Sequence, residues 1–197
     1  MYRIKDRINL NTQEYMNDFY KNYFNDNIAE RRNSLYEEVL EWLSGGRISV
    51  LDVGCGTGYG LAYIRDRKPD IDLYGCDFSD YAIVEARKRY ENITFFEHNI
   101  VNDDLNDRYD YMLLLQTLEH LEDPMFVINK LLKCCTYLIV SVPFEDCLKK
   151  DIGHIYSGFT EGSFKDFDLC ESKIIERGKP SKIRKNLYVK LRGAIKK

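Results

Sequence analysis

One stretch of the sequence, residues 48–58 (ISVLDVGCGTG), constrains the fold more than any other. Its apolar first half is typical of a parallel strand that is covered on both faces. Gly54, Gly56 and Gly58 have no Cβ, so the backbone there can turn tightly and approach a ligand closely. Residues 59–67 can begin a helix whose N-terminal N–H groups face that ligand. Strand, glycine loop and helix together predict a nucleotide-type site in the first unit of an open α/β sheet.

The spacing of the glycines indicates which nucleotide fits. In the two registers available here, the dinucleotide fingerprint G-x-G-x-x-G would place its third glycine at Tyr59 or Leu61, and both fail. The pattern present is Asp-x-Gly-x-Gly-x-Gly, which begins at Asp52. It resembles motif I of the class I S-adenosylmethionine-dependent methyltransferases. An acid suits that position because this cofactor carries an ammonium and a sulfonium instead of a pyrophosphate.

The resemblance implies a set of cofactor-binding residues. Asp77 ends the predicted strand 72–77, about 20 residues after the loop, where an acid can accept hydrogen bonds from both ribose hydroxyls. A helix cap is the alternative role, although Ser79 is the better N-cap. Asn99 matches a position where the family often carries an Asp that holds the adenine amino group. The full set is Asp52, Gly54, Cys55, Gly56, Gly58, Asp77, Phe78, Asn99, Ile100 and Gln116.

The order of the predicted elements agrees with that family. Strand patterns alternate with helical patterns up to residue 143, and two strand-like runs with a turn between them follow. The predicted strands cover residues 48–53, 72–77, 93–99, 109–116, 137–143, 169–176 and 186–195. The resemblance implies an α/β fold: a Rossmann-like, seven-stranded methyltransferase sheet, mostly parallel with an antiparallel C-terminal strand, and helices on both faces.

Residues 1–46 are predicted to form a helical cap on a core of residues 47–197, within a single domain. Two apolar stripes at the i, i+3, i+4, i+7 spacing mark the buried faces of two helices. The stripes are Met16, Phe19, Tyr20 and Tyr23, then Tyr36, Val39, Leu40 and Leu43. Two interpretations remain open: helices that only pack on the sheet, or a lid over the cofactor. In the lid, Tyr15, Tyr20 and Tyr23 would offer aromatic faces and hydroxyls to the sulfonium and the substrate.

Two histidines are candidates for the acceptor side. His154 follows the fifth predicted strand, on a connection expected at the ligand-binding end of the sheet. It precedes Phe159 and Thr160, which resembles a family pattern of a histidine before a Phe-Thr helix start. An imidazole there suits general-base work or contact with the acceptor, and bonding to nearby backbone is the alternative. His120 is a weaker catalytic candidate, with capping and packing at a helix start as its alternative.

Composition narrows the classes of function. A net charge of −3 argues against a general polyanion binder, so nucleic acid is not the expected partner. Six cysteines without C-x-x-C spacing indicate reduced thiols of an intracellular protein, with Cys55 and Cys76 buried at strand ends. No apolar run approaches the roughly 18 residues of a membrane span. These observations favour a cytoplasmic protein, a monomer or homodimer, with no membrane partner.

We therefore predict a methyltransferase that moves the methyl group of S-adenosylmethionine to an oxygen or nitrogen of a small molecule, leaving S-adenosylhomocysteine. Lys and Arg outnumber acids from Lys173 onward, which makes an anionic, nucleotide-linked or sugar acceptor one option. No metal is expected. Two alternatives stay open: an inert S-adenosylmethionine-binding or regulatory protein of the same fold, and a nicotinamide-dependent dehydrogenase, which the failed third glycine disfavours.

Overall fold

The computed structural model describes residues 1–4, 11–145, 153–178 and 183–193. Within these residues the chain forms a seven-stranded sheet and a small two-stranded sheet. The strands are β1 (Tyr2–Arg3), β2 (Ser49–Val53), β3 (Asp72–Asp77), β4 (Thr94–Glu97), β5 (Tyr109–Leu115), β6 (Cys135–Pro143), β7 (Tyr156–Ser157), β8 (Leu169–Arg177) and β9 (Arg184–Arg192). The α-helices are α1 (Gln13–Asn22), α2 (Asp26–Glu37), α3 (Tyr59–Arg67), α4 (Asp80–Arg89) and α5 (Pro124–Leu132).

The large sheet has the strand order β4-β3-β2-β5-β6-β9-β8. Parallel pairing joins β2 to both β3 and β5, and joins β3 to β4. The last strand, β9, runs antiparallel between β6 and β8. This topology confirms the prediction of a mostly parallel, Rossmann-like sheet with an antiparallel C-terminal strand.

Contacts along the chain group it into two compact units, and the first is Thr12–Leu113. Its core is centred on β2, where Val50, Leu51 and Val53 are at most 2% exposed. The helix α4 begins where Ser79 accepts a hydrogen bond from the Ala82 N–H, the usual N-cap arrangement. The helix α3 begins directly after the glycine loop, at Tyr59, as predicted.

The second unit contains Met1–Asn11 and Leu114–Lys197. Asp123 caps α5 through the Phe126 N–H, and Pro124 occupies the first turn, where its missing N–H costs nothing. The strand β9, which lies between β6 and β8, is buried along most of its length, with Leu187, Tyr188 and Val189 fully buried. A pairing that the sequence did not predict joins β1 to β7 in antiparallel register.

One predicted helix is shorter than its apolar spacing indicated. The helix α2 ends at Glu37, and tighter turns follow, in which the Val39 and Leu40 N–H groups bond to the carbonyls of Tyr36 and Glu37. Val39 and Leu43 are nevertheless buried. The spacing therefore predicted the buried face correctly and the type of turn incorrectly, because i→i−3 bonds place the same side chains inward over so short a stretch.

The C-terminal strands agree with the predicted runs where they can be compared. The end of the second run, at Ile195, lies outside the described residues, as does most of the turn between the two strands. Among the helices that the structure describes, none is both long enough and apolar enough to cross a bilayer.

Candidate functional site

The glycine loop follows β2 and has a backbone that favours glycine. Gly54, Gly56 and Gly58 have φ values of 80°, 54° and 80°, in the left-handed region that side chains with a Cβ rarely adopt. The N–H groups of Gly54 and Cys55 donate to the Cys76 carbonyl at 2.8 and 3.0 Å, which fixes the loop to the end of β3. Gly58 is the N-cap of α3 and makes no side-chain cap bond. The loop is thus a turn in which backbone without side chains leads directly into the N-terminus of α3.

Asp77 joins this loop to the following helix. One carboxylate oxygen accepts a hydrogen bond from the Gly56 N–H at 2.9 Å, and the other accepts one from the Ser79 N–H at 2.9 Å. Ser79 is the N-cap of α4, so Asp77 itself is not the cap. Asp77 is only 4% exposed. Each carboxylate oxygen offers more than one acceptor position, so these bonds are compatible with further donors such as ribose hydroxyls.

Asp52 is held inside the first unit. It lies on β2 and is 1% exposed, and the Tyr36 hydroxyl donates to its Oδ2 at 2.7 Å. Burial raises the pKa of the Asp52 carboxyl to about 7; the Tyr36 bond opposes this shift, and the nearby Asp77 charge adds to it. The acid of the predicted motif is therefore present as a carboxyl group that titrates close to neutral pH.

Tyr20 on α1 packs directly against the glycine loop. A Cβ built on Gly56 would lie 2.7 Å from the Tyr20 hydroxyl, so the phenol occupies the space that a side chain there would need. Tyr20 is 7% exposed. The other two predicted tyrosines, Tyr15 and Tyr23, are exposed by 40% and 64%. A group that bound to the loop backbone at Gly56 would therefore either contact Tyr20 or displace it.

The residues predicted for the adenine follow β3 and β4. Phe78 is half-buried and Ile100 is buried. The Asn99 side-chain oxygen accepts a hydrogen bond from the Val101 N–H at 3.1 Å, and the Asn99 N–H donates to Asp103 at 2.8 Å. The oxygen predicted to hold an adenine amino group is thus already an acceptor within its own turn.

Burial raises the pKa of the Cys55 and Cys76 thiols well above the ordinary value, as expected for buried, unreactive cysteines.

In the second unit, Gln116 stands at the end of β5 in an uncommon conformation. Its φ is 54°, which is rare for a residue other than glycine. The conformation is held by two bonds to Ser141: from the Gln116 N–H to the carbonyl at 2.8 Å, and from its side-chain amide to the hydroxyl at 3.0 Å. Strained backbone of this kind concentrates at functional sites.

Both predicted catalytic histidines belong to one cluster in the second unit, together with Glu119. His120 and His154 face each other with ring centroids 4.8 Å apart and planes at 87°. The Nε2 atom of His154 lies 4.0 Å from Glu119 Oε1. Glu119 is 1% exposed and His154 is 5% exposed. Glu119 is not among the residues predicted for the site, because no spacing pattern links it to His154.

Backbone bonds hold this cluster together. Glu119 and His120 lie on a short 3₁₀ helix, Leu118–His120, directly after β5. The Ile155 N–H donates to the Glu119 carbonyl at 2.8 Å, which places His154 next to that helix. The His120 Nδ1 atom is 2.9 Å from the Gly153 carbonyl oxygen. The Asn11 amide donates to the carbonyls of both His120 and Gly153, at 3.2 and 3.0 Å.

The strand order and the glycine loop define the class I methyltransferase fold, and comparisons with known proteins agree. Residues 51–136 match the family model described as a methyltransferase domain. A malonyl-[acyl-carrier protein] O-methyltransferase of Acetivibrio thermocellus is 33% identical over 57% of this chain and 41% of its own length. The human tRNA N(3)-cytidine methyltransferase METTL6 is 25% identical over 75% of this chain and 48% of its own length. The aligned part therefore spans less than half of either relative.

Among solved structures, the magnesium protoporphyrin IX methyltransferase of Synechocystis PCC 6803 with bound S-adenosylmethionine superposes with a TM-score of 0.67. It is 18% identical, and the match covers 92% of this chain and 97% of that one, so the likeness shows the shared fold. The resemblance drawn from the sequence is thus confirmed: residues 51–136 match a methyltransferase domain, and the fold is that of the class I S-adenosylmethionine-dependent methyltransferases.

Proposed function

We propose that this protein transfers the methyl group of S-adenosylmethionine to an oxygen or nitrogen nucleophile of a small molecule. The observation that carries the proposal is the glycine loop, whose left-handed backbone is bonded at Gly56 to the Asp77 carboxylate. This loop places backbone that has no Cβ beside an acid, which suits close approach of a nucleoside that carries positive charge. The match to the methyltransferase domain and the bound S-adenosylmethionine of the Synechocystis enzyme support the assignment.

In this proposal, Asp77 accepts hydrogen bonds from the ribose hydroxyls, and the backbone of Gly54, Gly56 and Gly58 allows close approach of the cofactor. Phe78, Asn99 and Ile100 contact the adenine. Bound S-adenosylmethionine supplies an activated methyl group on a sulfonium, which is already a good leaving group. The chain's own contribution is then chiefly to hold the reactants in line, because orientation alone accounts for a large part of such rate enhancements.

His154 is the residue that we assign to the acceptor, as a contact or as a base for a nucleophile that arrives protonated. The segments that carry Glu119, His120 and His154 follow the carboxyl ends of β5 and β6, and open α/β sheets bind ligands beyond those ends. Glu119, at 4.0 Å from the His154 Nε2 atom, would stabilise an imidazolium.

A nucleic acid acceptor is the competing class, since one relative is named for action on tRNA. The arrangement of charged side chains around β9 favours a small molecule as the methyl acceptor. Three of the basic side chains on β9 face acids: Lys185 lies 2.8 Å from Glu176, Lys190 lies 3.2 Å from Glu171, and Arg192 lies 3.8 Å from Asp168. Such pairing weakens the positive potential that phosphate binding requires.

Calorimetric titration with S-adenosylmethionine and with a nicotinamide dinucleotide tests cofactor binding. We expect binding of the first and none of the second. Asp77→Ala should weaken S-adenosylmethionine binding by at least roughly 10-fold to 100-fold, because each lost hydrogen bond to a charged acceptor costs about 1.5 to 3 kcal/mol. Asp80→Ala, an exposed acid on the same segment, is the matched control and should bind normally. Normal affinity in Asp77→Ala would refute the cofactor assignment.

Formation of S-adenosylhomocysteine with a panel of small-molecule acceptors separates an enzyme from an inert binding protein. With the true acceptor, His154→Ala should lower turnover by roughly 10²-fold to 10⁴-fold and leave cofactor affinity unchanged. A smaller loss with a raised Michaelis constant for the acceptor would indicate a contact instead of a base. Full activity of the variant would remove His154 from the acceptor site.

A further inference from the structure

We propose that Glu119, His120 and His154 form a binding site for a divalent transition-metal ion of the Zn²⁺ type. The three residues each offer one ligand atom, and these atoms all lie within 4.8 Å of one another. They come from two segments that are far apart in the sequence and that the fold brings together. No expectation from the sequence included a metal, so this site goes beyond the methyl-transfer proposal.

The separations between the ligand atoms are close to those found around a bound ion, and only a small decrease is needed to reach them. An ion with bonds of about 2.1 Å to nitrogen and oxygen keeps its ligand atoms roughly 3 to 4.2 Å apart, depending on the coordination angle. The measured separation of His154 Nε2 and Glu119 Oε1, 4.0 Å, falls inside that interval and is too long for a direct hydrogen bond. The largest separation in the cluster, up to 4.8 Å, would have to shorten by at least about 0.6 Å to reach that interval.

The hydrogen bond of His120 to the backbone is of the kind that metal-binding histidines make. Its Nδ1 atom lies 2.9 Å from the Gly153 carbonyl oxygen, so Nδ1 carries the proton and Nε2 carries the lone pair. A ligating imidazole usually donates its other N–H to a carbonyl or carboxylate in this way. The same carbonyl also accepts from the Asn11 amide at 3.0 Å, which fixes it in place. A Cβ built on Gly153 would lie 3.3 Å from the His120 ring, so the ring packs closely on this turn.

Burial and charge both favour a cation in this position. Glu119 and His154 are at most 5% exposed, and attraction between a carboxylate and a cation is stronger where water is excluded. A metal ion binds the neutral form of an imidazole and the ionised form of a carboxylate, so two histidines and one glutamate around a divalent ion would leave a site with a net charge of about +1.

The ligand types point to a particular class of metal. Two imidazole nitrogens and one carboxylate oxygen suit Zn²⁺, Fe²⁺ or Co²⁺, whereas Mg²⁺ and Ca²⁺ prefer oxygen ligands throughout. Three protein ligands leave coordination positions open, the arrangement of catalytic and not of structural zinc. With the ion bound, the Nε2 atom of His154 would hold the metal and would not act as a free base. If the methyl-transfer proposal holds, an acceptor oxygen at an open coordination position would instead lose its proton more easily because the metal polarises it. Binding of the ion itself does not depend on that proposal.

The test is metal binding by the full chain without cofactor or acceptor. Protein stripped with a chelator and dialysed is titrated with Zn²⁺, Co²⁺ and Mg²⁺ by calorimetry, and bound metal is counted by elemental analysis. We expect one Zn²⁺ or Co²⁺ per chain, a raised melting temperature when Zn²⁺ is added, and no comparable effect of Mg²⁺. Absence of stoichiometric Zn²⁺ and Co²⁺ binding would overturn the proposal.

Matched variants locate the ion. Glu119→Gln, His120→Asn and His154→Asn should each weaken Zn²⁺ binding at least about 10-fold, since even changes to residues behind the ligands cost 10-fold to 100-fold. His98→Asn, the chain's third histidine and outside the cluster, should bind as wild type does. His120 is half-buried, so its variant is the safest for folding, which circular dichroism verifies.

The spectrum of the Co²⁺ complex excludes the main competitor. The chain has six cysteines, and thiols also bind these ions. A Co²⁺ complex with nitrogen and oxygen ligands lacks the charge-transfer band that thiolate ligands produce. A thiolate band, or equal affinity in all four variants, would overturn the assignment to this cluster. Zn²⁺ binding with no methyl transfer on any acceptor would leave the site standing and refute only the enzymatic proposal.

Discussion

At the scale of single residues, Asp52, the acid of the glycine motif, is expected to make the stability of the fold depend on pH. Its carboxyl is buried beside Asp77 and receives a hydrogen bond from Tyr36, and burial raises its pKa from 3.8 to about 7. In the unfolded chain the same group ionises near its ordinary pKa. Between these two values the folded state holds more protons than the unfolded state, so stability falls as the pH rises through this window.

We expect Asp52→Asn to flatten that pH dependence. An amide does not ionise, so between pH 5 and pH 8 the variant should lose less stability than the wild type. The full effect of the raised pKa is on the order of 4 kcal/mol, at about 1.36 kcal/mol per pH unit, and roughly 2 to 3 kcal/mol of it falls between pH 5 and pH 8. Urea unfolding of both proteins across this range measures it. Parallel stability curves for the two proteins would show that Asp52 is ionised in the folded state at neutral pH.

At the scale of elements, α1 determines how the glycine loop is covered. Thr12 caps this helix through the Tyr15 N–H, and Tyr20 reaches the loop at Gly56. Tyr20 also packs edge-on against Phe19 and Phe24, with ring centroids 5.5 and 5.4 Å away. An aromatic cluster on the helix and its C-terminal turn therefore carries the phenol that lies against the loop. This arrangement is compatible with both interpretations of α1, a lid over the cofactor or a helix that only packs.

If α1 is a lid, hydrogen exchange across residues 12–26 should slow when S-adenosylmethionine is added at saturation. The physical reason is that a ligand held against Tyr20 favours the closed helix over its opened states. Tyr20→Ala should reduce this protection, whereas Tyr20→Phe, which keeps the ring, should retain most of it. Helix α5 provides the internal reference for exchange. Unchanged exchange across 12–26 would leave α1 with a packing role alone.

At the scale of the whole molecule, the last strand of the chain is an interior strand of the sheet. The strand β9 pairs with β6 on one side and β8 on the other, and five consecutive residues, 187–191, are buried. A strand in this position makes all its pairings only when both β6 and β8 are folded. Its pairing with β6 joins parts of the chain that are distant in sequence. Its core residues should therefore matter for global stability.

We expect Leu187→Ala to lower the free energy of unfolding by about 2 to 5 kcal/mol, the cost of truncating a fully buried leucine. Ile174 lies directly opposite on β8 and is 43% exposed, which makes Ile174→Ala a control of similar chemistry. The control should cost less than about 1 kcal/mol. Chemical denaturation of both variants measures the difference. Equal losses would mean that β9 is not an interior strand of the sheet in solution.

The sequence by itself determined those features that depend on local chemistry. The bounds of α3 and β3, and the cap at Ser79, follow from residues within a few positions of each other. The positive φ values of the glycine loop follow from the glycines themselves. These predictions succeeded because backbone preferences and side-chain periodicity act over one or two turns of chain. The resemblance of residues 48–58 to a family motif then predicted the order of the remaining strands.

Only the tertiary structure decided which buried groups meet. Periodicity indicates that a side chain is buried and gives no partner, so nothing local linked Glu119 to His154 or Asp52 to Tyr36. The same limit hid the β1–β7 pairing, in which the first residues of the chain meet residues 156 and 157. These contacts are set by packing over long sequence separations, and they determine what the acids and histidines can do.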